Sequence, residues 1–532
     1  MEFPSQGPRH VKIENTTSTH ESGKHDEQAD DEAAKVLNAY DGSPDWTNAE
    51  ERKLRRKLDW KLMPVLCLTY GLQYYDKAML SQAALFGLIP DLDLRGQRYS
   101  YAASIFYLGF IAGALLTAYI RYPATILAQR YPIERVASAI ITLWGICLIL
   151  TTTCTGYRGL YAQRFFLGML ESGISPMFML IVGSFYKKNE QAFRMNLPSV
   201  LTCVKGIWYS LTGYVSIVSP LINYGWGHVN GSLSQWHYMY FFAGCKAVRS
   251  GRQIQELILV GITILWGIIL LFVLPPDPIR AKGFDVRERY ILVARLRSNN
   301  SGVRNKKYKM SQVVEVLTDL KFWLLFLMAL LSMVSNGAIS TFAPLVIRGF
   351  GFSTLNTLLM YMPTGAYAGT MMVLLSFLAM KFKNIRTWLI FGGQMGTTLA
   401  AALLYGLPLN ETGGLLFAVY ILPSTGAAYG VLMGLPIANT AGYTKRALAS
   451  SGLYIGYCLV GNFIGPLVFL EREAPQYPTG FIVTLITAVI SGFLALAYRM
   501  VCILDNCKRD KAGVVEGFDH AFQDPTDKEF FR

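Results

Sequence analysis

Charged residues are scarce in this chain of 532 residues, where they make up 16%, against about 25% in an average soluble domain. The six histidines lie in the polar tails or in one loop, so no histidine relay is expected in the apolar parts. None of the eight cysteines has CxxC spacing, which gives no support for a disulfide framework or a zinc site. A P-loop, a GxGxxG motif and a nucleophile–base arrangement are also missing. These absences argue against an enzyme and ATP-driven transport, and they predict no cofactor and no metal.

Long apolar runs dominate the chain, since 52% of its residues are hydrophobic. Runs close to the roughly 20 residues that cross a bilayer as a helix recur along most of the length. We therefore predict an all-α, multi-pass membrane protein. Twelve spans are expected, at about 62–88, 99–128, 134–154, 160–186, 194–223, 236–274, 321–345, 354–380, 387–407, 413–437, 449–470 and 479–504.

Basic residues are distributed unevenly between the two sides of these predicted spans. The net charge of +14 would suggest a nucleic-acid partner in a soluble protein, but here most Lys and Arg fall in short loops on one side. Because positively charged loops stay in the cytosol, we expect both termini there, a lipid bilayer as the surroundings and no nucleic acid. The predicted outer loops carry Arg95, Arg98, Arg158, Arg348 and Arg472.

Polar segments divide the chain into five predicted parts. Residues 1–60 are a disordered cytosolic tail without a cleavable signal peptide, and within them the basic, helix-prone run begins at 49. Two six-helix bundles at 61–275 and 321–504 are joined by a basic cytosolic linker at 276–320, which we expect to be a solvated loop. A cytosolic tail follows at 505–532. Two six-span halves that rock about a central site are typical of major facilitator transporters.

Two charges stand out within the fourth predicted span. Arg164 and Glu171 are seven residues apart, two helical turns, so they share one face at a separation of about 10 Å along the axis. A charge in a bilayer span costs roughly 2.5–3.5 kcal/mol on insertion scales. The pattern predicts that this face turns inward, towards partners, water or a substrate. The alternative is that Arg164 reaches a headgroup and Glu171 pairs with a structural partner.

Seven short motifs occur in order along the chain: YYDKAMLSQA at 74–83, YPATILAQRYPIER at 122–135, RFFLGMLESGISPMF at 164–178, EQAFR at 190–194, LPPDP at 274–278, NTAGYTKR at 439–446 and GNFIGP at 461–466. Together they resemble the fungal allantoate permease family, the anion:cation symporters of the major facilitator superfamily. The resemblance implies proton-coupled uptake of a small organic anion in the plasma membrane. Allantoate or another ureidocarboxylate, a vitamin such as nicotinate or pantothenate, and short peptides all remain open as substrates.

Asp76 and Lys77 lie in span one, which the resemblance places at the central cavity. An arginine or lysine suits capture of a substrate carboxylate, so Arg164 or Lys77 is expected to attract the anion. Protonation of Glu171, or of Asp76, would then release a competing ion pair and couple transport to the proton gradient. The alternative is a structural charge network between spans one and four.

Further positions are assigned by their place in the spans. Asn336 and Thr341 in span seven are candidates for substrate contact, although polar residues in spans often bond a neighbouring helix. Tyr361, Tyr367, Gln394 and Tyr429 are further candidates of the same kind. We expect a monomer that binds the anion and a proton. The predicted gate and loop residues are Glu134, Arg135, Arg194, Asn439, Lys445 and Arg446.

Three segments depart from the family pattern: 114–121, 196–205 and 245–260. Each interrupts a span that has a regular length without it, and the third brings Lys246, Arg249, Arg252 and Glu256 into an apolar run. We interpret them as retained introns, with real extensions as the alternative. Besides an importer, the sequence thus leaves open an efflux antiporter, a non-transporting nutrient sensor and a non-transporting product of a faulty gene model.

Overall fold

The computed structural model describes most of the chain as helices. It covers residues 40, 46–119, 133–174, 207–229, 234–244, 262–275, 283–297, 310–382, 384–440 and 443–512, with Met177, Ile181, Phe185 and Ala281. Within these residues every regular element is helical. Seven of the helices are long and apolar enough to cross a membrane, which agrees with the predicted all-α membrane fold.

The first helix, α1 (Asn48–Ala84), has 37 residues, about 56 Å at 1.5 Å per residue. It begins at a capping box, in which the Thr47 hydroxyl accepts from the Glu50 N–H at 3.2 Å and the Glu50 carboxylate accepts from the Thr47 N–H at 2.9 Å. These bonds satisfy two backbone donors at the helix start. Residues 48–60 are therefore helical, and the predicted tail boundary at residue 60 is too late.

The other helices of the first half follow the predicted spans with shorter bounds. They are α2 (Arg98–Tyr119), α3 (Ile133–Ile149), α4 (Tyr157–Glu171), α5 (Ile207–Trp226), α6 (Gln235–Gly244) and α7 (Ile262–Val273). The last two, with 10 and 12 residues, are each too short to cross a bilayer. Both pack against α1 and α3. Together they occupy the place of the predicted sixth span.

The three segments that depart from the family pattern lie mostly outside the described residues. Residues 114–119 continue α2, whereas 120–121, 196–205 and 245–260 are not described. The interpretation as retained introns stays a prediction.

Two linker helices and six further spans complete the described chain. The linker contains α8 (Val286–Arg297) and α9 (Met310–Thr318). The spans are the interrupted α10 (Leu320–Gly349), then α11 (Thr354–Lys381), α12 (Arg386–Gly406), the interrupted α13 (412–439), α14 (443–468) and α15 (Pro478–Ala512). Two of them contain π-helical turns, Ala338–Phe342 in α10 and Tyr457–Ile464 in α14. Such turns change which backbone carbonyls the helix itself can bond.

Among the described residues, helices before the linker meet helices after it at several places, including α1 with α10, α2 with α14, and α5 with α11. The α5 and α11 backbones come very close, because a Cβ placed on Gly213 would lie 2.2 Å from the Gly369 nitrogen. Only glycine permits this approach of two helix backbones. The two sets of helices thus share an extended seam, and the candidate site lies along it.

Both linker helices are docked, so the expectation of a solvated loop is wrong for them. In α8, Arg287 pairs with Glu50 at 3.0 Å and Glu288 with Lys57 at 2.5 Å, which holds α8 against α1. Next to α9, Lys445 of α14 pairs with Glu315 at 2.9 Å and Asp319 at 3.2 Å. We call the end of the bundle that carries α8 and α9 the linker end. The opposite end, where α1 finishes, is the loop end.

Candidate functional site

Two ionised residues form a close pair between α1 and α4. The Lys77 Nζ lies 2.8 Å from Glu171 Oε1. The Glu171 side chain is fully buried, whereas the Lys77 side chain is 23% exposed. Lys77 is therefore the member of the pair that a molecule entering from the seam would meet first.

Aromatic rings surround the Lys77 ammonium. It lies 5.7 Å from the ring centres of Phe106 and Phe110, both on α2. The Phe110 ring in turn packs against the ring of Tyr454 on α14, with the ring centres 5.8 Å apart. The ring faces attract a cation and exclude water. Because α14 belongs to the second set of helices, the ion pair sits where the two sets meet.

The other two predicted charges, Asp76 and Arg164, occupy the interior of the first set. Both are at most 3% exposed. The guanidinium of Arg164 donates to the Tyr240 hydroxyl on α6 at 2.9 Å. Neighbours on a helix point about 100° apart, so Lys77 faces the seam while Asp76 faces the bundle interior. Spans one and four do bring the four predicted charges together, as two groups with different surroundings.

A small cavity of about 40 Å³ opens in the seam one helical turn from Lys77. A cavity of this size holds water rather than an organic anion. Its lining is mostly hydroxyls and small residues: Tyr74, Thr212, Gly213, Ser216, Asn336, Ile339, Tyr361, Thr364, Gly365, Ala368, Met372, Pro423 and Gly426.

Of the two predicted substrate contacts in span seven, one lines this cavity. Asn336 does so, and its amide also donates to Asn462 Oδ1 of α14 at 2.7 Å. Thr341 is not among the residues that line the cavity, and its backbone carbonyl accepts from the Tyr99 hydroxyl at 3.0 Å. The structure thus brings Asn336 to the site and places Thr341 in a contact between α2 and α10.

The further candidates divide in the same way. Tyr361 lines the cavity, whereas Gln394 donates to the Ser332 hydroxyl at 2.8 Å and Tyr367 bonds Ser424 at 2.9 Å, both between neighbouring helices. Sequence reasoning missed the cavity positions on α5, Thr212 and Ser216. A hydroxyl in an apolar helix gives no sign of the direction in which it points.

The predicted gate residues lie at the linker end where they are described. Glu134 is half-buried and Arg135 exposed at the start of α3. Asn439 donates to the Tyr498 hydroxyl at 2.9 Å, and Lys445 holds α9 through the two ion pairs given above. Arg446 lies on α14, but its side chain and all of Arg194 are outside the described residues.

Comparisons with known proteins extend these observations. The profile of the Major Facilitator Superfamily matches residues 256–470. An uncharacterized transporter of Schizosaccharomyces pombe is 30% identical over 482 residues, which cover 90% of this chain and 84% of that protein. The allantoate permease of Saccharomyces cerevisiae is 30% identical over 499 residues, which cover 91% and 86%.

The chain belongs to the Major Facilitator Superfamily. A solved D-xylose-proton symporter aligns with this transporter at a TM-score of 0.58 and 14% identity, covering 82% of the transporter and 97% of the symporter. At that identity the likeness concerns the fold alone. The resemblance to allantoate permeases, the major facilitator fold class and the prediction that the chain is not an enzyme are confirmed. The protein is a multi-pass membrane transporter.

Proposed function

We propose that this transporter imports a small organic anion together with a proton, and that the Lys77–Glu171 ion pair is its coupling site. The observation that carries the proposal is the position of this pair. It lies at the seam between the two sets of helices, with the carboxylate buried and the ammonium partly exposed. A buried ion pair costs desolvation and contributes little net stability, so its placement at a moving interface fits a functional role.

Protonation of Glu171 is the step that couples the two solutes. A proton on Glu171 removes its attraction for Lys77, and the ammonium is then free to hold the carboxylate of the substrate. The neutral acid, the ammonium and a monoanion together carry the same net charge as the empty ion pair. The net charge of the site in the low-dielectric seam is therefore the same with and without substrate. Because neither state adds an uncompensated charge, the carrier is able to reorient in both.

Lys77 is a better anion receptor than Arg164, the other cation considered for that role. Arg164 is 3% exposed and is engaged with Tyr240, so a substrate would have to displace a contact within the first set of helices. We assign Arg164 and Asp76 to holding α1, α4 and α6 in register. Of the two carboxylates considered for proton coupling, we favour Glu171.

The substrate class rests on the relatives rather than on the cavity. One relative is an allantoate permease, which favours a ureidocarboxylate, with vitamin carboxylates such as nicotinate and pantothenate as the competing candidates. Competition of each compound against labelled allantoate in cells that express the transporter would rank them. A substrate that shows saturable uptake without any effect of allantoate would replace the ureidocarboxylate assignment.

The topology completes the proposal. The linker end carries the basic segment 49–61 and the linker helices, so we place it in the cytosol with both termini. The bundles at 61–275 and 321–504 then reorient about the seam, and the loop end faces outward in the plasma membrane. We place Glu134, Arg135, Asn439, Lys445 and Arg446 near the cytosolic gate.

Uptake by proteoliposomes with an imposed proton gradient tests the coupling role. We expect Glu171→Gln to abolish gradient-driven accumulation while retaining substrate exchange at equal concentrations on both sides, because exchange requires no net proton movement. Lys77→Met should lose both activities. Glu411→Gln, on an exposed loop, is the matched control. Unchanged accumulation by Glu171→Gln would refute the proposal.

A further inference from the structure

Hydroxyl groups at the beginning of α2 reach across the seam to the second set of helices. The Tyr99 hydroxyl donates to the Thr341 carbonyl at 3.0 Å, Ser100 to the Phe469 carbonyl at 3.4 Å and Ser104 to the Phe463 carbonyl at 2.7 Å. All three donors are at most 5% exposed. These bonds lie at the loop end, where α1 finishes and α2 begins.

The three acceptors share an unusual backbone setting. Thr341 lies in the π-helical turn Ala338–Phe342, Phe463 lies in the π-helical turn Tyr457–Ile464, and Phe469 directly follows the 3₁₀ turn Gly465–Val468. In a regular α-helix a carbonyl accepts from the N–H four residues later. In a π-helix the carbonyl accepts from the N–H five residues later, and in a 3₁₀-helix from the N–H three residues later, so the direction of the carbonyls changes at these turns. At these positions the α2 hydroxyls donate to the carbonyls.

The two irregular turns are connected to each other. Asn336 of α10 donates to Asn462 Oδ1 at 2.7 Å, and the fully buried Asn462 donates to the Tyr457 carbonyl at 2.9 Å. The rings of Phe342 and Phe469 stack at 4.9 Å. These contacts hold the carbonyl acceptors of α10 and α14 together in one surface. The beginning of α2 packs against that surface.

A further hydrogen bond with the same kind of acceptor crosses the seam at the same end. The Arg348 guanidinium of α10 donates to the carbonyl of Leu85, the residue that caps α1, at 3.2 Å. A backbone carbonyl is again the acceptor, so no carboxylate takes part in these contacts. Neutral acceptors make weaker bonds than ion pairs do, which suits a closure that has to open in every cycle.

We propose that Tyr99, Ser100 and Ser104 form a latch that closes the loop end of the transporter by donating to carbonyls that lie in, or directly after, the π-helical and 3₁₀ turns of α10 and α14. This proposal assumes the alternating access that the proposed function requires. Tyr99 and Ser104 are positioning residues, since they set the balance between the closed and open loop end and touch no substrate. Opening returns the carbonyls to water that enters with the substrate.

Hydrogen exchange of the full-length protein in detergent tests the latch without substrate or proton gradient. In Tyr99→Phe and Ser104→Ala we expect amides in 338–345 and 457–470 to exchange faster by roughly two- to tenfold, the factor that one neutral hydrogen bond is worth. The linker helices α8 and α9 should be unchanged. Tyr101→Phe is the matched control, because Tyr101 is on the same helix with its side chain 47% exposed.

The folding of each variant is first checked by its size-exclusion profile. Tyr99→Phe keeps the aromatic ring, so its packing with Phe342 is preserved. Exchange in both latch variants equal to that of Tyr101→Phe would overturn the latch. So would acceleration spread evenly over all helices, which would indicate general destabilisation. Because coupling is measured separately with Glu171→Gln, the latch can fail while proton coupling stands, and the reverse.

Discussion

At the scale of residues, adjacent positions on α1 have separate tasks. Lys77 is directed to the seam and pairs with Glu171, while Asp76 is directed to the interior, where Arg164 also lies. The separation follows from the 100° rotation between neighbours on a helix. The presence of four charges in two spans was predictable from the sequence. Which charge meets which was not, because helix rotation is set by packing against other helices.

A double-mutant cycle on the ion pair separates its structural and transport roles. Lys77→Met leaves the buried Glu171 without its cation, so we expect a loss of stability of about 1–5 kcal/mol. Adding Glu171→Gln should recover most of that loss, since no uncompensated charge remains, but should not restore gradient-driven transport. Thermal unfolding in detergent measures the first effect and proteoliposome uptake the second. A double variant no more stable than Lys77→Met would show that the pair contributes no coupling energy.

At the scale of elements, the linker helix α8 is held by ion pairs with α1. Partial burial acts to raise the pKa of Glu288, but the bonds from Lys57 and from the Asp285 N–H lower it by more, so its pKa lies below the usual 4.5. A carboxylate with a lowered pKa stabilises the folded state above its unfolded pKa. That contribution is lost as the pH falls through the folded value.

We therefore expect the docking of α8 to be constant at neutral pH and to weaken below about pH 4.5. The change should stay under about 1 kcal/mol because both partners are partly exposed. Hydrogen exchange of 286–297, corrected for the intrinsic rate at each pH, measures it. Glu288→Gln should reduce the pH dependence, and adding Glu50→Gln, which removes the partner of Arg287, should abolish it. Glu411→Gln, far from the linker, should keep it. A pH-dependent protection that persists in the double variant would assign the effect to another group.

The linker also shows where sequence reasoning stops at this scale. Its basic composition predicts a solvated loop, yet Arg295 is 1% exposed and donates to the Phe185 carbonyl at 2.7 Å. Whether the Arg295 side chain is buried depends on the position of Phe185, which is distant in the chain. The composition of the linker shows only that the charge is present.

At the scale of the whole molecule, two sets of helices share one seam, and transport requires that seam to change. The sixth predicted span is present as α6 and α7 on either side of 245–261. Lys246, Arg249, Arg252 and Glu256 in the intervening segment each cost roughly 2.5–3.5 kcal/mol in a bilayer span. Without 245–260 the two apolar pieces have the length of one span.

Deletion of 245–260 is accordingly expected to raise the amount of monodisperse, membrane-inserted transporter and to increase uptake. Fluorescence-detected size-exclusion chromatography and cell uptake measure the two effects. Deletion of 513–528, a stretch of equal length in the C-terminal tail, is the control and should change neither strongly. If the shortened chain aggregates while the full chain is monodisperse, the segment is a true part of the fold. Sequencing of the transcript decides the intron hypothesis directly.

The sequence by itself determined the class of protein, because insertion into a bilayer and orientation across it depend on the hydrophobicity and charge of each local segment. It also determined the family and the four charged residues of spans one and four. The tertiary structure alone decided that Lys77 rather than Arg164 faces the seam, that Asn336 lines the cavity while Thr341 does not, and that α2 hydroxyls meet carbonyls of α10 and α14. Those outcomes depend on helix rotation and on interrupted helices distant in the chain, whose positions follow from packing.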